Sequence, residues 1–252
     1  MIHDTWTMTK RSLKHIVRSP DTIITVVITP IALLLLFVYV FGGAITTSLT
    51  TDTSYVNFLT PGIIIMTVVS GIAYAAYRLN ADIQRGIINR FRTMPVAPSS
   101  ILGGQALSST LSNLVSSLLV LAVALLVGFR TGAGPIEWLF FALLLTIFTF
   151  ALTWMAIFFG LLAKTAEASG SFSYLLMLLI FISPSFVPTT SMAPWLRWFA
   201  DHQPLTPIVE TMRSLLTSGS LGSSAGLALT WCIGILILFY VLALRIYKTK
   251  AI

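Results

Sequence analysis

The sequence predicts an all-α integral membrane protein with six transmembrane helices and both termini in the cytoplasm. Hydrophobic residues make up 56% of the 252 residues and charged residues only 9%, with a mean hydropathy of +0.93. Soluble domains carry about 25% charged residues, so this chain has too few charges to cover a globular surface. Several apolar stretches reach the ~20 residues that cross a bilayer, and lysines and arginines are concentrated in alternate loops.

Residues 1–21 predict an interfacial helix on the cytoplasmic membrane surface. Ile2, Trp6 and Leu13 recur at helical spacing. The basic residues mostly face away from that stripe: Lys10, Arg11, Lys14 and Arg18. The sequence Ser19-Pro20-Asp21 then ends the segment.

Six membrane spans follow, and their interiors contain no Asp, Glu, Lys, Arg or His side chain. We predict them at 22–43, 57–78, 101–128, 137–163, 171–190 and 224–245. Pro184 and Pro188 interrupt the fifth span, which is the least regular. Ion-driven carriers usually keep an ionisable group near the bilayer midplane, and a hydrolase needs a nucleophile with a base. The spans offer neither, so the pattern favours a path for large, hydrophobic or amphipathic cargo with an external energy source.

The basic residues orient the chain. With the N-terminus inside, 12 of the 15 lysines and arginines lie on the cytoplasmic side. Only Arg130, Arg197 and Arg213 lie outside. This positive-inside bias places both termini in the cytoplasm. It also accounts for the net charge of +7, so we expect membrane lipids and not nucleic acid as partners.

The segment 80–98, between the second and third spans, predicts a short amphipathic cytoplasmic helix. Its apolar residues share one face: Ile83, Ile87, Phe91 and Met94. Asn80 is the expected N-cap, Asp82 lies in the first turn, and Pro95 and Pro98 stop the helix. Such a helix either lies flat on the membrane or docks a soluble partner. We favour docking.

The segment 191–223 predicts a pair of short re-entrant helices that cap the outer side. Pro194-Trp195-Leu196-Arg197-Trp198-Phe199 is typical of an interfacial helix. In the second helix Ile208, Met212 and Leu215 share a face, and Glu210 and Arg213, three residues apart, can pair. The segment is either a structural lid or an exit gate. The residues expected at the gate are Pro184, Phe186, Pro188 and Trp195.

Polar and aromatic residues within the spans are the candidates for a cargo path. The third span is rich in serine, and ordinary helix packing is the favoured explanation of those serines. Most aromatics are expected to face lipid or the core, and some to line a hydrophobic cavity. The candidates for the path are Phe37, Phe41, Asn113, Trp154 and Phe158.

Three stretches of the chain resemble the ABC-2 type permeases, the membrane subunits of a class of ATP-binding-cassette exporters, in their daunorubicin-resistance-like branch. The first is residues 82–95, DIQRGIINRFRTMP. The second is residues 181–188, FISPSFVP, followed by MAPWL at 192–196 and QPLTP at 203–207. The third is residues 210–215, ETMRSL. Their order along the chain extends the resemblance over essentially all of it.

The resemblance implies a permease subunit paired with a second copy or a related permease, above two copies of a nucleotide-binding subunit. It implies that segment 80–98 is the coupling helix. Its expected partner contacts are Asp82, Arg85, Gly86, Arg90, Phe91, Arg92 and Pro95. Drug-, lipid- and glycan-export relatives share the motifs, so all three cargo classes stay open. A secondary carrier or a membrane scaffold is the less favoured alternative.

We expect no catalytic, cofactor or metal site on this chain. It contains no G-x-x-x-x-G-K-[ST] motif, so ATP and Mg²⁺ are expected on the partner subunit. The single cysteine, Cys232, lies in an apolar run, and the three histidines are far apart in sequence. The expected location is the bacterial cytoplasmic membrane.

Overall fold

The computed structural model describes residues 24–42, 55–86, 98–217 and 219–249, and within these ranges the regular structure is helical. The helices are α1 (Ile24–Phe41), α2 (Tyr55–Gln84), α3 (Pro98–Val127), α4 (Pro135–Leu162), α5 (Ala166–Ser169), α6 (Phe172–Ile182), α7 (Pro194–His202), α8 (Leu205–Thr217) and α9 (Ala225–Thr249). The interfacial helix predicted at 1–21 lies outside the described residues.

Of the described helices, five are long and apolar enough to cross a membrane, namely α1, α2, α3, α4 and α9. Helix α6, within the predicted fifth span 171–190, has only 11 residues and ends at Ile182. The extended backbone of Ser183 and the following Pro184 end it, because a residue before proline is disfavoured in the helical conformation. The fifth span is therefore shorter than predicted. The count of six spans and the cytoplasmic termini stay predictions.

Helix α2 continues past the predicted boundary at residue 78. Asn80 lies inside the helix and is 2% exposed, so it does not cap a new helix as predicted. Gly86, with φ of +69°, follows the helix end and adopts the left-handed conformation that glycine tolerates best. Residues 80–84 thus belong to α2, and the predicted coupling helix does not begin at Asn80.

Helix α2 is the central element of the core. It contacts α1, α3, α4, α5, α6 and α8, and it is buried on most sides along its apolar middle. Gly160 of α4 allows a close approach, since a Cβ there would lie 3.1 Å from the Ala76 carbonyl oxygen. Helices α1 and α9 are exposed over most of their length, as expected for helices facing lipid or another subunit.

Different contacts hold the two ends of the bundle together. At one end, which we call the inner end, a cluster centred on Leu79, Trp154 and Tyr247 joins α2, α3, α4 and α9. At the opposite, outer end, the α3–α4 loop contacts α2 and α8. The Arg130 N–H donates to Asn57 Oδ1 at 2.9 Å, and the Thr131 hydroxyl donates to the Leu216 carbonyl at 2.8 Å.

Candidate functional site

A hydrogen-bonded junction fastens the inner end of α2 to the end of α4. Asn80 Nδ2 donates to the Gly160 carbonyl at 2.9 Å and to the Ala163 carbonyl at 2.8 Å. Gln84 Nε2 donates to Asn80 Oδ1 at 2.8 Å and to the Lys164 carbonyl at 3.0 Å. The last carbonyls of a helix have no partner within it. The side-chain amides of Asn80 and Gln84 therefore donate to carbonyls at the end of α4 and directly after it. We call these contacts the inner junction.

The described partner-contact candidates lie within residues 82–86, the end of α2 and the turn that follows it, which we call the tip. Asp82 is half-buried in the last turn of α2, Arg85 is exposed, and Gly86 forms the turn. The structure brings these three together within five consecutive residues. Arg90, Phe91, Arg92 and Pro95 lie outside the described residues, so their role in docking stays a prediction.

The five cargo-path candidates do not form one cluster among the described residues. Phe37 stacks on Phe186 with ring centroids 5.0 Å apart, and Phe41 lies 5.7 Å from Phe37. At the inner end, Trp154 packs edge-on against Tyr240, with centroids 4.6 Å apart. Phe158 packs against Phe239, with centroids 5.4 Å apart. The structure therefore distributes these rings over separate packing groups, and Phe41 is 44% exposed.

Asn113, the remaining path candidate, is buried against α2. Its Nδ2 donates to the Ser109 carbonyl at 3.0 Å. Its amide occupies the space in front of Gly71, where a Cβ would lie 1.7 Å from Oδ1. Several serines of α3 are buried too, which agrees with the packing explanation: Ser108, Ser109, Ser116 and Ser117.

The outer break at residues 183–188 is packed against the bundle. Phe186 is 3% exposed and stacks between Phe37 and Phe181, at centroid distances of 5.0 and 4.9 Å. Gly62 of α2 makes room for the break, because a Cβ there would lie 2.7 Å from Ser185 Cβ. Of the other gate candidates, Pro184 is buried, Pro188 is half-buried and precedes the 3₁₀ turn Thr189–Ser191, and Trp195 is 74% exposed on α7.

Arg213 of α8 connects three parts of the outer end. Its Nε and Nη2 donate to the Phe58 carbonyl at 3.3 and 3.0 Å, and Nη2 also donates to the Pro184 carbonyl. Its guanidinium carbon lies 3.8 Å from the centre of the Phe58 ring, a cation–π contact. Burial lowers the pKa of Arg213 to about 10, against the opposing effect of Glu210, so the side chain stays cationic at neutral pH.

Glu210 and Arg213, whose spacing allows an ion pair, bind other groups in the structure. Arg213 binds backbone carbonyls of α2 and of the outer break, while Glu210 Oε2 accepts from the Ser224 hydroxyl at 3.0 Å. The spacing of three residues would have allowed the pair, but the carbonyl oxygens of distant segments compete for the guanidinium. The sequence shows that Arg213 is a cation in this segment, but it does not identify its partners, which lie 155 and 29 residues away in the chain.

The model of the family described as "ABC-2 type transporter" matches residues 3–217, which include the inner junction, the outer break and Arg213. The chain belongs to the ABC-2 type transporter family. This ABC-2 type transporter is 31% identical to the daunorubicin resistance ABC transporter permease protein DrrB1 of Streptomyces coeruleorubidus. The alignment covers 92% of the chain and 81% of the relative.

Two further relatives widen the comparison. The ABC-2 type transporter is 25% identical to the probable doxorubicin resistance ABC transporter permease protein DrrC of Mycobacterium tuberculosis, over 93% of the chain and 84% of the relative. It is 27% identical to the putative transport permease ycf38 of Porphyra purpurea, over 86% and 75%. Membership of this family makes the chain a multi-pass membrane permease of an ABC export system, and it implies an ATP-binding partner subunit.

Proposed function

We propose that the chain is the permease subunit of an ABC exporter that moves hydrophobic or amphipathic compounds outward across the bacterial cytoplasmic membrane. Two relatives are named as daunorubicin and doxorubicin resistance permeases, which supports drug-like cargo. Two copies of a nucleotide-binding subunit supply ATP and Mg²⁺, and a second copy of this chain or a related permease completes the pathway. The observation that carries the proposal is the inner junction, where the tip of α2 is fastened to α4.

The inner junction transmits movement of the tip into the bundle. A partner that closes on ATP displaces Asp82, Arg85 and Gly86 together with the segment that follows them. Because Asn80 and Gln84 bind the carbonyls of Gly160, Ala163 and Lys164, the end of α4 and the start of the α4–α5 loop move with the tip. That loop leads into α5 and α6 and so to the outer break.

The outer end is fastened to the same helix. Arg213 binds the Phe58 carbonyl near the start of α2 and the Pro184 carbonyl directly after α6. A displacement of α2 along or across the bundle therefore acts on both ends of the α4–α6 region. In this mechanism the partner's ATP hydrolysis drives a change from an inward-open to an outward-open pathway, and the chain itself contributes positioning and no bond-breaking group.

Lipid- or glycan-linked cargo is the alternative within the same family. A secondary carrier is disfavoured, because the interior of the described spans offers no carboxylate for ion coupling. A scaffold without cargo does not need a fastened tip on a central helix.

Reversing the charge of the tip tests the proposal. We expect Arg85→Glu combined with Arg92→Glu to reduce partner binding, permease-stimulated ATPase and cargo efflux together. Arg245→Glu is the matched control, since Arg245 is an exposed arginine at the inner end of α9 and lies outside the tip. Normal membrane insertion of each variant is checked first. Unchanged ATPase and efflux in the double variant would refute docking at this segment.

A further inference from the structure

Glu210 and Arg213 of α8 each bind a different neighbour, although they lie three residues apart on one helix. Arg213 donates through Nε and Nη2 to the Phe58 carbonyl and through Nη2 to the Pro184 carbonyl. Glu210 Oε2 accepts from the hydroxyl of Ser224, the residue before α9, at 3.0 Å. The cation and the carboxylate therefore connect α8 to three other segments, namely the start of α2, the outer break and the start of α9.

Arg213 needs an acceptor in any arrangement of the outer end. The side chain is half-buried, and its guanidinium carbon lies 3.8 Å from the centre of the Phe58 ring. A cation that has lost hydration is strongly destabilising when its partners are removed, because its charge is then left uncompensated. The present acceptors belong to α2 and the outer break, so Arg213 loses them when either segment moves away from α8.

Glu210 is an acceptor that moves together with Arg213. Side chains three residues apart on a helix are neighbours, with Cβ atoms about 5–6 Å apart, so rotation of side-chain torsions is enough to form the pair. Burial lowers the pKa of Arg213 to about 10, and the charge of Glu210 opposes this effect. The carboxylate therefore already lies close enough to act on the guanidinium.

We propose that Glu210 is a positioning residue for the opening of the outer end, and that it pairs with Arg213 when the Phe58 and Pro184 carbonyls move away from α8. In the present arrangement Arg213 joins these two carbonyls, and Ser224 holds Glu210. In the open arrangement the Ser224 hydrogen bond is broken, and the Glu210 carboxylate accepts from the guanidinium. This exchange rests on the proposed function, since it identifies the residue that stabilises the outward-open pathway.

A purely structural role of Glu210 makes a different prediction. In that case the carboxylate only holds Ser224, and an uncharged acceptor serves equally well. Glu210→Gln keeps a carbonyl that accepts from the Ser224 hydroxyl but removes the negative charge that attracts Arg213. Ser224→Ala keeps that charge and removes the group that competes for it. The exchange therefore predicts opposite effects of the two substitutions on opening of the outer end.

Labelling of a cysteine in the outer break measures this opening. Ser185 is 0% exposed, so Ser185→Cys, in a Cys232→Ala background, reacts with a membrane-impermeant maleimide only when the outer end opens. The labelling rate is measured in vesicles whose outer end faces the reagent. It is measured for the chain alone and for the complex with its ATP-binding subunit and ATP. Ser183→Cys, at a position that is also 0% exposed, is the second labelling site in case Ser185→Cys disturbs the packing.

The two substitutions should shift the labelling rate in opposite directions. We expect Glu210→Gln to lower the rate about two- to fivefold, which corresponds to the loss of one exposed ion pair in the open arrangement. Ser224→Ala should raise the rate by a similar factor. Asp201→Asn is the matched control, because Asp201 forms an exposed pair with Arg197 on the neighbouring helix α7. It should change the rate less than about 1.5-fold.

Opposite shifts in Glu210→Gln and Ser224→Ala would support the exchange. An unchanged rate in Glu210→Gln, or shifts in the same direction in both variants, would overturn it. Failure of the proposed function has a separate readout, which is the absence of ATP-dependent efflux by the parent chain with its ATP-binding subunit. The labelling comparison requires no cargo and includes the chain alone, so the two failures are distinguishable.

Discussion

Arg213 of α8 lies with its guanidinium carbon 3.8 Å from the centre of the Phe58 ring and donates to the carbonyl oxygen of that same residue at 3.0 Å. One side chain of the outer segment thus holds both the ring and the backbone of one residue near the start of α2. The third acceptor, the Pro184 carbonyl, belongs to the outer break. The cation therefore joins three segments of the outer end, namely α8, α2 and the outer break.

Replacing Arg213 by methionine should destabilise the outer end. The variant loses charge-assisted hydrogen bonds and a cation–π contact, which costs about 2–3 kcal/mol. For a chain of this size we expect the thermal midpoint in detergent to fall by roughly 4–10 °C.

Arg197→Met is the matched control for that measurement. Arg197 pairs with Asp201 at 3.7 Å, but the two side chains are 51% and 42% exposed, and exposed pairs contribute little. Its midpoint should change by less than about 2 °C. Equal shifts in the two variants would show that Arg213 does not hold the outer end together.

The contact between Gly71 and Asn113 predicts a non-additive pair. Gly71→Ala places a Cβ 1.7 Å from Asn113 Oδ1, so the amide must move, at a cost of about 1–3 kcal/mol. The double variant Gly71→Ala with Asn113→Ala should recover part of this loss, which a double-mutant cycle of thermal midpoints measures.

Gly103→Ala provides the comparison for the glycine substitution itself. No described atom lies within 4 Å of a Cβ at Gly103, so alanine there should be neutral or slightly stabilising through its helix propensity. Simple additivity in the cycle, with Gly71→Ala no worse than Gly103→Ala, would contradict the observed fit.

The inner junction predicts a variant that separates ATP hydrolysis from transport. In Asn80→Leu the leucine side chain is similar in size to asparagine, but it cannot donate to the Gly160 and Ala163 carbonyls. We expect the assembled complex to keep permease-stimulated ATPase, because the tip is intact, while cargo efflux per ATP falls at least about fivefold. The stability loss from the unpaired carbonyls is about 1–3 kcal/mol.

Asn57→Leu controls for the loss of a similar amide on the same helix. Asn57 accepts from the Arg130 N–H at the opposite end of α2. Its removal should lower efflux and ATPase only in proportion to the amount of folded complex. A parallel fall of both activities in Asn80→Leu would argue against transmission through the inner junction.

Local pattern was sufficient to predict the outer helices. The shared face of Ile208, Met212 and Leu215 predicted α8, and the three side chains are 0%, 0% and 1% exposed in the structure. The residues around Trp195 predicted α7, which extends from Pro194 to His202. An apolar stripe at helical spacing depends only on neighbours in sequence, so the sequence is enough to identify it.

The features that the sequence could not predict depend on contacts between residues far apart in the chain. Asn80 was expected to cap a helix because asparagine favours that position, but its amide is used 80 and 83 residues away, at the end of α4. Arg78 was assigned to the cytoplasmic side by its charge, and its place in a recess between α1, α2 and α3 follows from the approach of α3 to α2. The length of α6 depended on one residue before a proline, within a run that is otherwise apolar.

ATP-driven transport in vesicles tests the central claim most directly. The chain is reconstituted with its ATP-binding subunit and without any ion gradient, and accumulation of doxorubicin is measured with ATP outside. The account predicts accumulation that disappears when the lysine of the partner's phosphate-binding loop is replaced by alanine. Accumulation by the chain alone, driven by a proton or sodium gradient, would contradict it.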